Sequence, residues 1–591
     1  MARNRILIAA AAAAAAAVLL ITAGCSSAVK TGSSGADGTP VKGGTLKVLA
    51  NGDVDHLDPQ LVAYVPVYSF MRAMSRSLLS YAASDDGDKR IQLQPDLATE
   101  VPKPSADGLT YTITLRDGTT WGAPDGSRAI VSKDVARGFK RLCNPLISGA
   151  LSGYFIDLID GMSSFCSDFS KIAPEVGPMK DFIDSHDISG IKTPDDKTVE
   201  FTLTKPASDF PSMLSLDAAD PAPVEALNYL PDSPEYRKAF VSSGPYKVKD
   251  YTPDAKIVLE RNKAWNAKSD PLRKAYVDGI EMTMGVEGDA AMQQLQAGSA
   301  DVLFDLTPSP ANITQLKAMN DKKLSTMTNG GIDQFMWINT KSPNNGKALD
   351  NLKVRQALQY AVDKTAVVQT MGGKDLAGVT NGIFGPGILG YDKYDPYPAN
   401  DGKGDPAKAK QLLAEAGFPN GITLKMPYRN VGTQPDIAQT VQASLKKAGI
   451  ELELTPVPPT DYYANFMTNR ENATSGKWDV ALVGWSPDWQ GGAARSVFQP
   501  QFVFTGTPQA YNYVDYNSDK ANTLAAEALA ASTADESGKL WHQVDEAVME
   551  DSPIVSIAYR LKPNYHSARV AGFLPYAQSQ NGDWTNLWLT K

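Results

Sequence analysis

GITLKMPYRNVGTQPDIAQTVQASLKKAGIELEL, residues 421–454, is the stretch on which the fold turns. Ile422, Leu424 and Met426 alternate with Thr423 and Lys425, the period of a strand with one face turned inward. From Pro435 the spacing becomes that of a helix, which runs to Ala448 and stops at Gly449, a residue suited to the left-handed position after a helix. Ile450, Leu452 and Leu454 then alternate again. Strand, helix, strand in this order is a βαβ unit, because parallel strands need a crossover. It predicts an α/β domain with helices covering a sheet.

Upstream of it, Asp350 is placed to cap a helix with an apolar stripe at Val354, Leu358, Ala361 and Val362. Asp405-Pro406 reads as N-cap and first helical residue, Leu412, Leu413 and Ala416 as the stripe, and Gly417 as the stop. The first third reads differently. Leu109, Tyr111, Ile113 and Leu115 alternate with threonines, Val199, Phe201 and Leu203 alternate likewise, and residues 247–258 hold two short strands around Pro253-Asp254. Ser132 is a candidate N-cap, with Asp134 near the positive end of its helix. Residues 148–185 have weak periodicity and suit an insertion. No repeat of 20–50 residues runs through the chain, which excludes solenoids and propellers.

The 591 residues are 42% hydrophobic and 21% charged, the composition of a soluble globular protein. The length calls for roughly two to four domains. A net charge of −9 without a long basic run makes nucleic acid an unsuitable partner. The four histidines, His56, His186, His542 and His566, show no ligand spacing, so no metal and no cofactor is implied. The N-terminus has Arg3 and Arg5, an apolar run over 6–21 and then small residues, the order of a secretory signal. That run is shorter than the ~20 residues a membrane-spanning helix needs. Residues 26–42, rich in Ser, Gly, Thr and Ala, read as a flexible tether. In an oxidising compartment Cys143 and Cys166 form the natural pair, closing a loop of about 23 residues; two free buried thiols are the alternative.

Several segments line up with known families. Cys25 after Thr22-Ala23-Gly24 resembles a bacterial lipobox, with Thr22 where leucine is usual. That implies cleavage before Cys25, acylation of its sulfur and anchoring on the outer face of the membrane; ordinary secretion is the alternative. In the body, Gly43-Gly44-Thr45-Leu46-Lys47-Val48 with Leu57-Asp58-Pro59, residues 109–117 with Asp125-Gly126 and Ser132-Lys133-Asp134-Val135, Ser243-Gly244-Pro245-Tyr246, LERNKAW at 259–265, residues 297–302, Val354-Arg355-Gln356-Ala357-Leu358 and residues 407–418 occur in order. This is similar to the family 5 extracellular solute-binding proteins, the oligopeptide- and dipeptide-binding receptors of ABC importers.

The resemblance implies a two-lobed periplasmic-binding-protein-like α/β fold, type II with three domains and a ligand cleft between the lobes. After a leader (1–24) and tether (25–42), domain I would comprise 43–66, 189–334 and 555–591. Domain II would be 67–188, and domain III, the second lobe, 335–554. Crossing strands are expected at 335–339 and 554–559, both apolar runs that equally suit buried strands.

For the site, the resemblance points to Asp488 in Gly484-Trp485-Ser486-Pro487-Asp488-Trp489, as acceptor of a peptide's α-ammonium. A buried cation needs an opposite charge to replace its hydration. An aspartate in a surface turn is the plainer reading. Trp485 and Trp489 would supply apolar walls unless they pack in the core. Val54 and Asp55, with His56, match the segment that pairs with peptide backbone. Where some members carry an arginine for the peptide carboxylate this chain has Leu482, and Arg495 is a candidate by sequence proximity alone, with an exposed surface position the default.

The expected function is therefore a monomeric, lipid-anchored receptor that binds a peptide or small cationic solute and delivers it to an ABC permease. A metal chelate, sugar or signalling molecule as ligand is the alternative. A secreted hydrolase is disfavoured, since the chain has neither a Gly-x-Ser-x-Gly elbow nor a His-Glu-x-x-His pair.

Overall fold

A computed structural model describes residues 38–62, 64–123, 126–147, 151–328, 330–504 and 511–590. Cys25, the leader and most of the tether lie outside the described residues.

Strands Ile422–Arg429 and Ile450–Val457 pair in parallel, Ile422 opposite Ile450 and Met426 opposite Leu454. Helix Gln434–Lys447 joins them and buries Ile437, Ala438, Val441 and Leu445. The turns are tight enough to need glycine: Gly421 and Gly449 both have positive φ, and a Cβ on Gly421 would lie 2.0 Å from the Gly449 carbonyl oxygen.

This unit packs on a four-stranded antiparallel sheet in the order Ala377–Val379, Ile554–Arg560, Ile332–Ile338, Val480–Trp485. The sheet is buried on both faces, which is why its central strands read as unbroken apolar runs. Met336, Ile338, Val480, Leu482, Val555 and Ile557 face the βαβ unit and helices Leu352–Ala361 and Pro406–Glu415. Phe335, Trp337, Ala481, Val483 and Ile554 face the helices Ala494–Phe502, Asp519–Ala530 and Ala534–Asp551. The two runs expected as crossings are neighbours here, Phe335 opposite Ser556 and Trp337 opposite Ile554.

The other lobe is built on a five-stranded sheet, Val302–Leu303, Thr45–Leu49, Gly279–Thr283, Lys256–Arg261, Tyr246–Thr252. Val570, Trp584, Leu587 and Leu589 return to its core from the far end of the chain. A second core in this lobe gathers Tyr111, Ile113, Val199 and Phe201 from strands Thr110–Thr114 and Thr198–Thr202, together with Phe155, Phe165, Phe169 and Phe182. Residues 151–185 thus belong to a core, through helices Ser152–Ile156, Met162–Phe169 and Val176–Ser185. Cys143 and Cys166 are disulfide-bonded. Buried ion pairs knit distant segments: Arg76–Asp96 at 2.8 Å, Arg273–Asp96 at 2.8 Å and Arg72–Asp583 at 3.0 Å.

Two helix starts differ from expectation by one residue. Asn351, not Asp350, caps Leu352–Ala361, accepting the Lys353 N–H at 2.9 Å. Asp350 is held in the preceding turn Ala348–Asp350, where its N–H bonds the Lys347 carbonyl. Ser132 is the first helical residue, with Val131 as N-cap, and Asp134 accepts the Val131 N–H at 3.1 Å. Asp405 caps as expected, accepting the Lys408 N–H at 3.0 Å. Among the described residues no helix is long and apolar enough to cross a membrane.

Candidate functional site

Strand Val480–Trp485 is buried through Val483, then passes Gly484 at a register shift, where a Cβ would meet the Asp333 carbonyl oxygen at 2.5 Å, before Trp485 pairs with Ile332 at the end of the strand. The chain turns through Ser486-Pro487 and is pinned by the next helix. The Asp488 N–H donates to Ser496 Oγ at 3.1 Å, and Trp485 Nε1 donates to the Ser496 carbonyl at 2.9 Å. Residues 489–491 then form a tongue inserted into the other lobe. Trp489 is 1% exposed in the core that holds Phe155 and Phe201. Tyr81 donates its hydroxyl hydrogen to the Gln490 carbonyl at 2.9 Å. Gly491, with φ +61°, passes so close to Ile91 that a Cβ would lie 2.5 Å from its carbonyl oxygen.

Beside the tongue is a cavity of about 350 Å³, walled by Tyr154 and Lys205 from one lobe and by Trp485, Asp488, Arg495 and Tyr511 from the other. Trp485 and Tyr511 meet edge to face with ring centres 4.9 Å apart, giving an apolar wall. The Tyr154 hydroxyl donates to Asp488 Oδ2 across the lobes. Burial pushes the Asp488 carboxyl up to about 6, with the Tyr154 hydrogen bond pulling the other way. Burial and the facing carboxylate together push the Tyr154 hydroxyl well up, so it stays a donor.

Arg495 is not on the surface. It is 3% exposed, because Asp209 from the opposite lobe accepts its Nε–H at 2.7 Å, and its guanidinium lies 5.6 Å from the Trp489 ring centre and 5.7 Å from that of Tyr154. Leu482 is buried beneath the sheet in the second-lobe core.

The structure brings Trp485 and Asp488 together on the cavity wall. Trp489 stands behind that wall, its indole edge-on to Tyr154 at 4.9 Å. Val54 is packed in the core around the five-stranded sheet. The Asp55 carboxylate accepts the N–H groups of His56 at 2.7 Å and Tyr64 at 3.1 Å, holding a turn. Neither is among the described residues lining the cavity. Nothing in the local sequence pattern indicates Tyr154, Lys205, Asp209 or Tyr511, and Tyr154 falls in the least periodic stretch. A wider groove of about 600 Å³ follows helices Asp519–Ala530 and Ala534–Asp551, with walls of exposed charged side chains such as Lys520 and Glu550. No group of metal-ligating side chains occurs among the described residues.

Residues 92–493 match the model of the bacterial extracellular solute-binding proteins, family 5 middle. The chain is 27% identical over 484 residues to the dipeptide-binding protein of Escherichia coli strain K12, covering 77% of this chain and 79% of that one. It is 26% identical over 499 residues to heme-binding protein A of Haemophilus influenzae, covering 82% of each. Among solved structures, clavulanic acid biosynthesis oligopeptide binding protein 2 superposes with a TM-score of 0.81 at 25% identity, covering 95% of this chain and 99% of that one.

Proposed function

The chain belongs to the family 5 bacterial extracellular solute-binding proteins, and from that premise we propose that it captures short peptides by their free ammonium group and passes them, unaltered, to a membrane permease. It is a solute-binding protein of an ABC importer and not an enzyme, as its relatives are.

One observation carries the peptide reading: a partly buried carboxylate, Asp488, faces an inter-lobe cavity with aromatic walls and, among the described residues, receives a side-chain hydrogen bond from one hydroxyl, that of Tyr154. Its remaining acceptor capacity suits an ammonium, which on entering such a site must exchange water for a charged partner. Trp485 and Tyr511 offer surface without demanding a fixed hydrogen-bond pattern, which suits side chains of many kinds. The volume is at the small end of the ~300–1,000 Å³ typical of ligand sites, favouring a short solute. The dipeptide-binding relative supports the same class by name.

Calorimetry of the mature body with di- and tripeptides tests this. Asp488→Asn is expected to weaken binding by about 2–3 kcal/mol, the cost of removing one partner from a desolvated charge pair, with the melting temperature of the ligand-free protein not lowered. Unchanged affinity removes Asp488 from the site.

The protein works as a monomer held at the outer face of the membrane by lipid on Cys25, with residues 26–42 as leash. A diacylated sulfur supplies the two chains that stable anchoring takes. Cys25→Ser should move the protein from the membrane fraction to the medium. Retention in the membrane would refute the anchor.

A further inference from the structure

We propose that Lys205 receives the carboxylate of the ligand, so that the cavity selects solutes carrying a free amine and a free acid together. This rests on the reading of the cleft just given.

The argument begins with the cations available. Leu482 is sealed in the second-lobe core, so the strand beneath the site offers none. Arg495 reaches the cavity wall, but its charge is committed: it is paired with Asp209 and lies close to the Tyr154 and Trp489 rings. Lys205 is what remains on the lining. It is exposed, and no carboxylate among the described residues lies within ion-pair distance of it. Asp157, the other exposed charge on the lining, is of the wrong sign for an acid.

Position supports the same role. Lys205 comes three residues after the end of strand Thr198–Thr202 and directly before Pro206, which disfavours a helical backbone at Lys205. It lines the cavity from the lobe opposite to Asp488. Its charge reaches the Asp209–Arg495 pair, where it opposes the effect of burial on the Asp209 carboxyl. A solute with an ammonium on Asp488 and a carboxylate on Lys205 would be held by both lobes at once. Each contact is a charge-assisted hydrogen bond.

The choice of lysine has a consequence for specificity. A guanidinium fixes a carboxylate in one bidentate geometry, whereas an ammonium on a four-carbon stem can follow it. The cavity should therefore tolerate differences in solute length while still requiring the acid.

The test is calorimetry with alanyl-alanine and trialanine, their C-terminal amides and their N-acetyl forms, on the wild-type protein, Lys205→Met and Asp488→Asn. The wild type is expected to bind the free peptides at least tenfold more tightly than the amides. Lys205→Met should lose that discrimination, keep the preference for free amine over acetylated, and melt at the wild-type temperature. Asp488→Asn should do the reverse, losing amine selectivity and keeping acid selectivity. Equal binding of acids and amides by the wild type, or an acid preference surviving in Lys205→Met, overturns the Lys205 assignment and leaves Asp488 in place. If none of the peptides binds, the peptide reading of the cleft falls, and this assignment falls with it.

Discussion

Asp488 answers to two opposed demands. Burial holds its carboxyl at about 6, above the ordinary value near 4, so the empty site takes up a proton as pH falls below about 6. A ligand ammonium needs that proton gone. Affinity should be flat from about pH 6 to about 8, fall roughly tenfold per unit below 6 as Asp488 protonates, and fall again above 8 as the ligand amine deprotonates. For folding the same shift has the other sign. A raised carboxyl pKa contributes stability that is complete below about 4 and lost as pH rises through about 6. Titration calorimetry between pH 4.5 and 9 reads the profile, and Asp488→Asn should erase its acid limb. A limb that persists in the variant assigns the proton to another group.

At the scale of elements, the disulfide ties the end of helix Ser132–Leu142 to helix Met162–Phe169. Between them lies helix Ser152–Ile156, which presents Tyr154 to Asp488. Replacing both cysteines by serine should cost on the order of 3 kcal/mol, as loop entropy for 23 residues predicts, read by urea denaturation. It should also weaken peptide binding several-fold by loosening Tyr154. Full affinity in that variant would show that Tyr154 is positioned without the bond.

How much of this the sequence makes legible depends on how local each signal is. The βαβ unit, the Asp405 cap and the hairpin at Asp254 are written in residues a few positions apart, so spacing alone finds them. The cap at Asn351 is displaced by one place from the expected Asp350, since the two are equally good caps and only the preceding turn decides between them. Asp488 and Trp485 are reached through the Gly-Trp pair. Their partners are not: Tyr154 meets Asp488 across 334 positions and Arg495 meets Asp209 across 286, and such contacts leave no periodicity. Arginine is taken as exposed by default, and only a distant carboxylate could reverse that.

For the whole molecule, the lobes are joined at the cleft by Tyr154–Asp488, by Arg495–Asp209 and by the tongue carrying Trp489. Asp209 has one carboxylate oxygen buried without a hydrogen-bond partner, and among the described residues its one ion pair is with Arg495 across the gap. Asp209→Leu leaves the Arg495 guanidinium uncompensated in this packed arrangement and should destabilise it by about 3–5 kcal/mol. The ligand-free protein should then open, with a larger radius of gyration by X-ray scattering. Adding Arg495→Met should restore much of the compactness, because the stranded charge is gone. An unchanged radius in Asp209→Leu would show that the other contacts, Tyr154–Asp488, the tongue and the bonds from Ser208 to Ala528 and Ser537, hold the lobes together without it.

The sulfur–sulfur bond closes the stretch of chain that carries Tyr154. Under reducing conditions thiols stay unpaired, and that stretch would be slack. The cleft should therefore hold its solute more weakly before the bond forms than after it.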